Sequence, residues 1–501
     1  MPRRGVKGAL RLAELVPALS GATALPTGLD VPIHGICSDS RRLRPGELFV
    51  AVARAPGDGE AHVAEALGRG AAAVVAEWPI ETGPAPLLRV VDSRIALAEL
   101  AAAWFGRPAE RIPVIGITGS LGKTSVLSML AAILAAAGQR VGTIGSLGIR
   151  FAGEVEATRL TTPTAPTLHR ALHGFVAGRA AFAAMEVTSH ALDQHRVHGI
   201  RFGLGIFTNL VLLEHLDYHG SFRAYVEAKR RFFDHLEPGA PVVIPVGDRA
   251  VRALAAEYEV VPVRCGPGGT VSLRFGPVSA RRSGTRVELT VRRPIPRLDG
   301  GEVAPVRIPL SLQVLGRPSV QNAGLAATTA LCLGAPAEAV QDALASFRAP
   351  WRRMQLTRFG RFTVLDDTVG HPDSLGAVFE VALKLPHRRI LVVYAVRGRR
   401  GEEINRRDAE ALALWARHVR LATLLVTSSA DVVGESDRVS SGERDAVIEM
   451  LRRYGVAHEY HDRLGGALDR LTAQVREGDL VLLIGAQGMN RGAALLRERL
   501  G

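Results

Sequence analysis

The stretch VIGITGSLGKTSVLSML, residues 114–130, decides the fold of the central part of this chain. A short apolar run enters a glycine-rich turn, and a helix with periodic apolar residues follows the Lys-Thr-Ser at 123–125. This order is the layout of a phosphate-binding loop, in which backbone N–H groups and a helix N-terminus surround phosphate oxygens. The usual loop has about four residues before its Gly-Lys-Ser/Thr, whereas five residues separate Gly116 from Gly122 here.

The loop predicts a nucleotide-binding site in which different residues contact the phosphates and the magnesium ion. Lys123 is expected to reach the β- and γ-phosphates, and the hydroxyl of Thr124 is expected to bind magnesium. Gly119, Gly122 and Ser125 complete the loop around the phosphates. The loop by itself does not separate an ATPase, a kinase and a ligase.

Composition narrows the class of protein. The 501 residues are too many for one hydrophobic core, so about two to four domains are expected. The net charge is +13, but the charges are scattered and only 5% of residues are aromatic, so we expect no nucleic-acid partner. No apolar run of about eighteen residues is present, so no membrane insertion is expected. The three cysteines are far apart, and we expect a monomer in the cytoplasm.

Alternating strand-like and helix-like runs predict an α/β fold with three domains. The expected boundaries are an N-terminal domain at 1–108, a central domain at 109–349 and a C-terminal domain at 350–501. The central domain should hold a P-loop ATPase-like parallel sheet, and the C-terminal domain a Rossmann-like sheet. Residues 260–312 are expected to form short antiparallel strands in an inserted or appended sheet. The segment FRAPWRRM near residue 350 is expected to be a linker.

Polar residues follow several strands of the predicted central sheet. Glu186 ends one strand, Thr208 and Asn209 end the next, His215 lies in the following turn, and Lys229 lies on a helix. Because parallel strands bring their carboxyl ends to one crevice, Glu186 and His215 should approach the phosphate loop. Carboxylate oxygens, and less often imidazoles, are ligands for a magnesium ion there.

These segments together resemble the Mur ligases of cell-wall synthesis, and within them the branch that extends UDP-N-acetylmuramoyl-dipeptide by a third amino acid. The family loop G-x-x-G-x-x-G-K-T-S matches residues 116–125, which accounts for the unusual spacing. Matching motifs follow in family order as EVTSHAL, RVHG, FTNL, EHLDYHG and AKRRFF. SDSRRLRPGELFVA, TTPTAP and QNAGLAA also match. The resemblance covers roughly residues 35–355.

The resemblance implies a reaction and its cofactors. A carboxylate would take the γ-phosphoryl group of ATP to give an acyl phosphate and ADP, and an amine would then displace phosphate. Lys123, Glu186, His215 and Lys229 would be the catalytic residues, with Mg²⁺ bound by Thr124, Glu186, His215 and Lys229. Lys229 matches the family lysine that is carbamylated by carbon dioxide.

The resemblance also assigns the substrates. The N-terminal domain would bind a UDP-muramoyl-peptide-like donor, the central domain ATP, and the C-terminal domain an amino acid or other amine. The donor would be held by Ser40, Thr161, Thr162, Ser189, Gln194 and Arg196. Nucleotide binding is further assigned to Asn322, Arg353 and Asp367.

The C-terminal third departs from the family. The D-N-P-R motif is absent from VTSSADVVGES, and G-K-G-H-E reads AQGMN. This chain has DDTVGHPDSL where the family has V-D-Y-A-H-T-P-D-S-L, and it has AVRGRRGEEINRR where the family has G-G-D-R-D. Since these losses cluster where the family binds its amine, we interpret them as an altered acceptor site that does not take ordinary diaminopimelate. Arg399 and Arg400 are the expected carboxylate-binding residues, and the further candidates are Arg397, Asn405, Gln487 and Asn490.

Three alternatives stay open. A related ligase could serve another pathway with a non-muramoyl carboxylate. A non-catalytic paralogue could keep only nucleotide binding, although Lys123, Glu186, His215 and Lys229 are all retained. A nucleic-acid-binding protein has only the net charge in its favour.

Overall fold

The computed structural model of the chain describes residues 8–26, 28–52, 60–211, 216–281, 284–314 and 316–500. Of residues 60, 61, 216, 217, 280 and 281 it describes the backbone alone. Strands and helices alternate over most of the described residues, as the α/β prediction requires. No helix in these ranges is both long and apolar enough to cross a bilayer.

The N-terminal segment folds around a small, mostly parallel sheet. Its strands run in the order β2-β7-β6-β5-β4, with β2 antiparallel to β7, and β1 pairs separately with β3. Asp92 caps α3 by accepting hydrogen bonds from Arg94 N at 2.8 Å and Ile95 N at 3.0 Å. The elements are β1 Leu10–Arg11, α1 Leu12–Leu15, β2 Ala22–Ala24, β3 Pro32–Ile33, β4 Ile36–Cys37, β5 Leu48–Val50, α2 Glu60–Gly68, β6 Ala73–Ala76, β7 Leu87–Val90 and α3 Ser93–Trp104.

The central segment contains the largest sheet of the described chain. Its elements are β8 Val114–Thr118, α4 Lys123–Ala136, β9 Val141–Gly145, β10 Gly148–Phe151, β11 Glu154–Glu156, α5 Ala165–Ala177, β12 Phe182–Glu186, α6 Ser189–Asp193, β13 Leu204–Phe207, α7 Leu216–His219, α8 Phe222–Asp234, β14 Pro241–Pro245, α9 Arg249–Ala255, β15 Val261–Gly266, β16 Leu273–Phe275, β17 Ser279–Arg281, β18 Gly284–Val291, β19 Ile295–Pro296, β20 Glu302–Val303, β21 Arg307–Leu312, α10 Arg317–Cys332 and α11 Ala337–Ser346.

The order of the central strands places the phosphate loop at the middle of the sheet. They run β11-β10-β9-β12-β8-β13-β14-β15-β16-β18-β17, and the run from β9 to β16 is parallel. Helices α4, α10 and α11 bury apolar residues on one face of this sheet, and α5, α6, α8 and α9 do so on the other. The carboxyl ends of β12, β8 and β13 therefore meet at one edge between two helical layers.

The antiparallel strands predicted within 260–312 are present: β16, β17, β18 and β21 are appended to the central sheet, and β19 and β20 form a two-stranded sheet of their own. β16 pairs in parallel with β15 and antiparallel with β18, and β18 pairs antiparallel with both β17 and β21. Val287, Leu289 and Val291 of β18 share one buried cluster with α10. Without further strands, β15 would be an edge strand with unpaired backbone N–H and C=O groups. Pairing of these groups with the next strand continues the same sheet.

The C-terminal segment forms a second large parallel sheet, as predicted. Its strands run β22-β23-β27-β24-β25-β26, and only the β22–β23 pair is antiparallel among these neighbours. Each segment thus contains its own sheet, while the boundaries at 108 and 349 stay a prediction. The elements are β22 Gln355–Phe359, β23 Phe362–Asp367, α12 Pro372–Ala382, β24 Ile390–Ala395, α13 Glu402–Val419, β25 Thr423–Thr427, α14 Ser441–Arg453, β26 Glu459–His461, α15 Leu464–Gln474, β27 Leu480–Gly485 and α16 Gly492–Leu500.

A buried histidine lies where the N-terminal and central segments pack together. His169 on α5 is fully buried, and neither of its ring nitrogens has a hydrogen-bond partner among the described residues. Its neighbour His173 contacts the carbonyl oxygen of Phe105 through Nδ1 at 3.0 Å. Burial, with a smaller contribution from Arg107, lowers the pKa of His169 to about 4. The native protein therefore holds this imidazole neutral.

We predict that acid destabilises the protein partly through His169. The unfolded chain binds a proton below a pKa of roughly 6.5 and the native chain does so only near 4. Stability is thus lost as pH falls through this window, by up to about 3 kcal/mol. Urea unfolding of His169→Leu should show a shallower pH dependence between pH 7 and 4.5 than the wild type. His62→Leu, which removes an exposed histidine, should keep the wild-type dependence. Parallel wild-type and His169→Leu curves would contradict this explanation.

Candidate active site

A cleft of about 1120 Å³ lies between the central and C-terminal sheets. Residues 120–125 of the phosphate loop line it on the central side, and residues 367–374 line it on the C-terminal side. The cleft therefore opens at the carboxyl ends of strands from both sheets, which is where α/β proteins bind ligands.

The phosphate loop has glycines where neighbouring side chains leave no room for a Cβ atom. Gly119 has φ +126°, and a Cβ there would overlap the hydroxyl of Thr208. Gly122 has φ +86°, and a Cβ there would lie 2.5 Å from Oδ1 of Asn322. Both positions also have the backbone conformation that favours glycine. The loop conformation thus depends on these two residues.

Lys123 begins α4 and lies within the loop. Its Nζ donates hydrogen bonds to the carbonyl oxygens of Gly119 and Ser120, both at 2.8 Å. The next residue, Thr124, donates its hydroxyl to Oε2 of Glu186 at 3.0 Å. Lys123, Thr124, Ser125 and Glu186 all line the cleft, so the structure brings these predicted site residues together.

Thr124 and Glu186 place oxygen atoms beside the loop that can coordinate a hard metal ion. Glu186 is 1% exposed, and its Oε1 accepts a hydrogen bond from Ser146 N at 2.8 Å. Magnesium prefers oxygen ligands and is held by few protein groups when phosphates and water complete its shell, so these residues fit such an ion. The described residues contain no cluster of three His, Cys, Asp or Glu side chains for a metal. The predicted ligand His215 lies outside the described residues.

Lys229 lies beneath the phosphate loop. It is 1% exposed on α8, and its Nζ donates to Oγ1 of Thr118 and to the carbonyl oxygen of Gly119, both at 2.9 Å. The Thr118 hydroxyl in turn donates to the carbonyl oxygen of Val187 at 2.8 Å. Lys229 therefore links α8 to the ends of β8 and β12, as its predicted place near the loop requires.

The threonines predicted to bind the donor lie on the same wall as Glu186. Oγ1 of Thr161 is 3.0 Å from Oγ of Ser146, and Thr162 donates its hydroxyl to the carbonyl oxygen of Glu186 at 2.8 Å. Arg196 Nη1 donates to the carbonyl oxygen of Thr162 at 2.8 Å. Thr161, Thr162 and Arg196 all line the cleft. Burial lowers the pKa of Arg196 from its usual value.

The other residues predicted to bind the donor substrate do not line the cleft. Gln194 holds Arg196, because its Oε1 accepts from Nε at 3.1 Å and from Nη2 at 2.5 Å. Ser189 is 1% exposed at the start of α6, and its Oγ has no partner among the described residues. Ser40 lies in the N-terminal segment, is 3% exposed and donates to Oε2 of Glu65 at 2.6 Å. None of the three is among the described residues that line the cleft.

The residues assigned to the nucleotide converge from three parts of the chain. Asn322 on α10 lies against Gly122, and Arg353 and Asp367 approach from the C-terminal side. All three line the cleft. Asp367 accepts from Met354 N at 2.6 Å through Oδ2, and burial raises its pKa to about 6, against the opposing charge of Arg353.

The sequence analysis missed Arg352, which is fully buried in the expected linker. Its guanidinium donates to Oδ1 of Asp366 at 2.8 Å and to the carbonyl oxygens of Asp367, Gly485 and Ala486 at 3.0, 2.6 and 2.8 Å. It also donates to Oδ1 of Asn490 at 2.9 Å. Nothing in the local sequence distinguishes it from Arg348 or Arg353, because its partners come from distant strand ends.

A loop that we call the arginine loop, residues 397–401, follows β24. Arg397 and Arg400 line the cleft, whereas Arg399 is exposed, adopts φ 59° and is not among the lining residues. Arg397 Nη1 donates to the carbonyl oxygen of Gly370 at 3.1 Å, and a Cβ on Gly370 would lie 2.5 Å from that nitrogen. The structure thus favours Arg400 over Arg399 for a role in the cleft.

The remaining acceptor candidates divide in the same way. Gln487 and Asn490 are exposed and line the cleft, whereas Asn405 is fully buried in α13 and does not reach it. His371 also lines the cleft, is 5% exposed and accepts from Asp373 N through Nδ1 at 3.2 Å. The sequence analysis did not select His371, although it replaces a threonine of the resembled motif.

The cleft has the features of a nucleotide-binding α/β enzyme. The phosphate loop, Thr124 and Glu186 lie on one wall, and Arg353, Arg397 and Arg400 lie on the other. The family model "Mur ligase middle domain" matches residues 117–330, and "Mur ligase, glutamate ligase domain" matches residues 352–487.

Relatives match over nearly the whole chain. A UDP-N-acetylmuramoyl-L-alanyl-D-glutamate–2,6-diaminopimelate ligase of Solibacter usitatus is 31% identical, over 95% of this chain and 93% of that protein. A UDP-N-acetylmuramyl-tripeptide synthetase of a Roseiflexus species is 30% identical, over 95% and 94%. The chain belongs to the Mur ligase family, as the motifs predicted, and it is an ATP-dependent ligase that forms an amide bond between a carboxylate and an amine.

Solved structures share the fold. A UDP-N-acetylmuramoyl-L-alanyl-D-glutamate–2,6-diaminopimelate ligase has a TM-score of 0.66 at 20% identity and covers 98% of this chain and 100% of that one. A folylpolyglutamate synthase of Mycobacterium tuberculosis has a TM-score of 0.61 at 18% identity and covers 82% and 95%. At these identities the likeness concerns the fold alone, and the predicted three-domain α/β class is confirmed.

We predict that Lys123→Ala loses turnover while its fold persists. The substitution removes the cation of the phosphate loop, and loss of one preorganised charged donor costs about 10²- to 10³-fold in kcat. Initial rates of ADP release, with far-UV circular dichroism as the check on folding, would measure this. Lys384→Ala, which removes an exposed lysine after α12, should retain the wild-type rate. Wild-type turnover in Lys123→Ala would contradict the assignment of the loop.

Proposed function

We propose that the chain joins an amino acid to the terminal carboxylate of a UDP-N-acetylmuramoyl-peptide-like donor. The observation that carries this proposal is the single cleft, which has the phosphate loop, Thr161, Thr162 and Arg196 on one side and Arg397 and Arg400 on the other. ATP, a carboxylate and an amine can therefore meet in one place. The relatives named above act, by their names, on UDP-N-acetylmuramoyl-L-alanyl-D-glutamate or form the tripeptide.

The reaction proceeds in two displacements. A donor carboxylate oxygen attacks the γ-phosphorus of ATP, the bond from that phosphorus to the β–γ bridging oxygen breaks, and ADP leaves. The amine nitrogen then attacks the acyl carbon, the bond from that carbon to the phosphate oxygen breaks, and phosphate leaves while the nitrogen loses a proton to solvent. The enzyme contributes alignment of the reactants and neutralisation of charge.

Each residue of the central wall has a role in this scheme. Lys123 neutralises the transferred phosphoryl group, and the loop amides hold the phosphates. Arg196 and the two threonines orient the donor carboxylate, and Gln194 keeps Arg196 in place. Thr124 and Glu186, with His215, would hold Mg²⁺, which when bound neutralises negative charge on the triphosphate. Asn322, Arg353 and Asp367 bind the rest of the nucleotide.

We further propose that Lys229 is carbamylated. The ammonium would first lose a proton to solvent, and the neutral amine would then attack the carbon of CO₂ and release a second proton, which replaces a cation by an anion next to the loop. The position suits this change, because Lys229 Nζ lies 2.9 Å from both Thr118 Oγ1 and the Gly119 carbonyl oxygen. The threonine hydroxyl can turn to donate to a carbamate oxygen, and the remaining N–H can still donate to Gly119.

We predict that protein equilibrated with ¹³C-bicarbonate shows a carbamate carbon resonance that is absent from Lys229→Ala. Because the anion is expected to bind metal, Lys229→Ala should be nearly inactive, and added acetate or formate should restore part of its activity. Lys384→Ala should keep the resonance. A wild-type spectrum without the carbamate signal in active protein would refute the modification.

The acceptor is proposed to be an amino acid other than 2,6-diaminopimelate. Arg397 and Arg400 are the cleft-lining cations of the arginine loop, and guanidinium groups suit bidentate binding of a carboxylate. Arg399, the other arginine predicted to bind the carboxylate, is exposed to solvent. The D-N-P-R and G-K-G-H-E motifs are absent from this sequence.

A donor without a uridine nucleotide is the second candidate. The observation in its favour is Ser40, whose hydroxyl is buried and bonded to Glu65. Thr161, Thr162 and Arg196 favour the muramoyl-peptide donor instead, because they line the cleft beside Glu186.

The proposed function can be tested without knowing the acceptor. Hydroxylamine is a small nucleophile that converts an acyl phosphate into a hydroxamate and needs no carboxylate-binding site. With ATP, Mg²⁺ and UDP-N-acetylmuramoyl-L-alanyl-D-glutamate, the wild-type protein should form a hydroxamate together with equal amounts of ADP and phosphate. ADP without hydroxamate would show that this donor is not activated.

We predict that Arg400→Ala raises the KM for an amino-acid acceptor by about tenfold or more, because a charged hydrogen-bonding partner is lost. The acceptor is chosen from a panel of the standard amino acids and meso-2,6-diaminopimelate. Arg399→Ala is the matched control and should keep the wild-type KM, and neither variant should alter hydroxamate formation from hydroxylamine. A rise confined to the KM for ATP would assign Arg400 to the nucleotide.

A further inference from the structure

The arginine loop is held by two buried polar side chains that do not themselves reach the cleft. They are Asn405 on α13 and Glu443 on α14, which are 0% and 3% exposed. Each accepts or donates hydrogen bonds with backbone groups of the loop. The loop conformation is therefore fixed from two separate helices.

Asn405 binds both ends of the loop. Its Nδ2 donates to the carbonyl oxygens of Arg397 at 2.9 Å and Gly401 at 3.0 Å. Its Oδ1 accepts from Arg397 N at 3.4 Å. A single side chain thus bridges Arg397, at the start of the loop, and Gly401, the N-cap residue of α13. The sequence analysis treated Asn405 as a candidate contact for the acceptor, and its burial gives it this different role.

Glu443 binds the last two residues of the loop with one oxygen and the start of its own helix with the other. Oε1 accepts from Arg400 N at 2.7 Å and from Gly401 N at 2.8 Å. Oε2 accepts from Ser440 N at 2.9 Å and Ser440 Oγ at 3.1 Å, and Ser440 Oγ accepts from Glu443 N at 3.3 Å, which completes the capping box of α14. Burial acts to raise the pKa of Glu443, but the hydrogen bonds from Ser440, Gly401 and Arg400 lower it below its usual value.

The arginine side chain at the start of the loop is held as well. Arg397 Nη1 donates to the Gly370 carbonyl oxygen at 3.1 Å, in space that a Cβ at position 370 would fill. A buried carboxylate and a buried amide are costly unless their hydrogen bonds are satisfied. Here those hydrogen bonds serve to fix the loop that presents Arg397 and Arg400 to the cleft.

We propose that Glu443 and Asn405 are positioning residues for acceptor recognition: they preorganise the arginine loop so that Arg397 and Arg400 receive the carboxylate of the incoming amino acid. The inference rests on the proposed function. Preorganisation lowers the entropy that must be lost when the carboxylate binds. It also predicts that the loop matters for amino acids but not for a nucleophile that has no carboxylate.

The two Glu443 oxygens bind different partners, Oε1 the loop and Oε2 the start of α14, so two variants can test these contacts separately. Glu443→Gln replaces one carboxylate oxygen by an NH₂ group, which cannot accept, and the one remaining oxygen cannot accept from the loop amides and from Ser440 N at once. Ser440→Ala removes the hydroxyl of the capping box and leaves the two loop contacts of Oε1 intact. Each variant is assayed with UDP-N-acetylmuramoyl-L-alanyl-D-glutamate, ATP and Mg²⁺, and with either hydroxylamine or the best amino acid of the panel as acceptor.

We expect Glu443→Gln to raise the KM for the amino acid by about tenfold, with an unchanged KM for ATP and an unchanged hydroxamate rate. Ser440→Ala should lower the thermal midpoint but keep the wild-type KM for the amino acid. Amide hydrogen exchange at Arg400 and Gly401 should be slow in the wild type and in Ser440→Ala. Asn405→Ala should behave as Glu443→Gln does, which provides a second variant if Glu443→Gln does not fold.

Several results would overturn the inference. One is a KM for the amino acid within twofold of wild type in Glu443→Gln and Asn405→Ala. Another is an equal loss with hydroxylamine and with the amino acid, which would indicate general damage to the fold. If the wild type forms the hydroxamate but accepts no amino acid of the panel, the carboxylate assignment is wrong. If it forms no hydroxamate, the proposed function itself fails, and this inference fails with it.

Discussion

The phosphate loop keeps its shape because the end of the neighbouring strand β13 binds its backbone. Ser120 N and Leu121 N donate to the carbonyl and side-chain oxygens of Asn209, both at 2.9 Å. The Leu121 carbonyl oxygen accepts from Thr208 Oγ1 at 2.6 Å and from Asn209 Nδ2 at 3.1 Å. These bonds satisfy the outer polar groups of the loop, and a bound nucleotide's phosphates would meet its inner amides. Glycine at 119 is the consequence, since Thr208 fills the space beside it.

The second constraint is the attachment of the C-terminal sheet, without which the cleft would have only one wall. Arg352 binds the ends of β23 and β27, and the residues on either side of it line the cleft. Gly316, which precedes α10, approaches α12 so closely that a Cβ would lie 2.8 Å from Cγ2 of Val381. The linker therefore acts as a fixed part of the C-terminal wall, and the arginine loop on that wall faces the phosphate loop.

Local patterns in the sequence predicted what local physics determines. Apolar runs identified the parallel strands, and glycines before Lys123 identified the phosphate loop, because each property is set within a few residues. Contacts between distant segments were not predictable in this way. Arg352 looks like an ordinary linker cation, yet its acceptors extend to Asn490, and Asn405 looks like a binding-loop residue, yet it is buried. Whether the antiparallel strands at 260–312 are inserted or appended was left open for the same reason, since strand pairing depends on which edge is open.

The central claim is that the cleft activates a donor carboxylate as an acyl phosphate and passes it to an amine. The most direct measurement uses UDP-N-acetylmuramoyl-L-alanyl-D-glutamate with ¹⁸O in the glutamate carboxylates, ATP, Mg²⁺ and either hydroxylamine or an accepted amino acid. Mass spectrometry of the released phosphate should find one ¹⁸O atom per phosphate, because the carboxylate oxygen stays with phosphorus when the amide forms. Unlabelled phosphate released together with ADP would show that water, and not the donor carboxylate, receives the phosphoryl group, and would contradict the account.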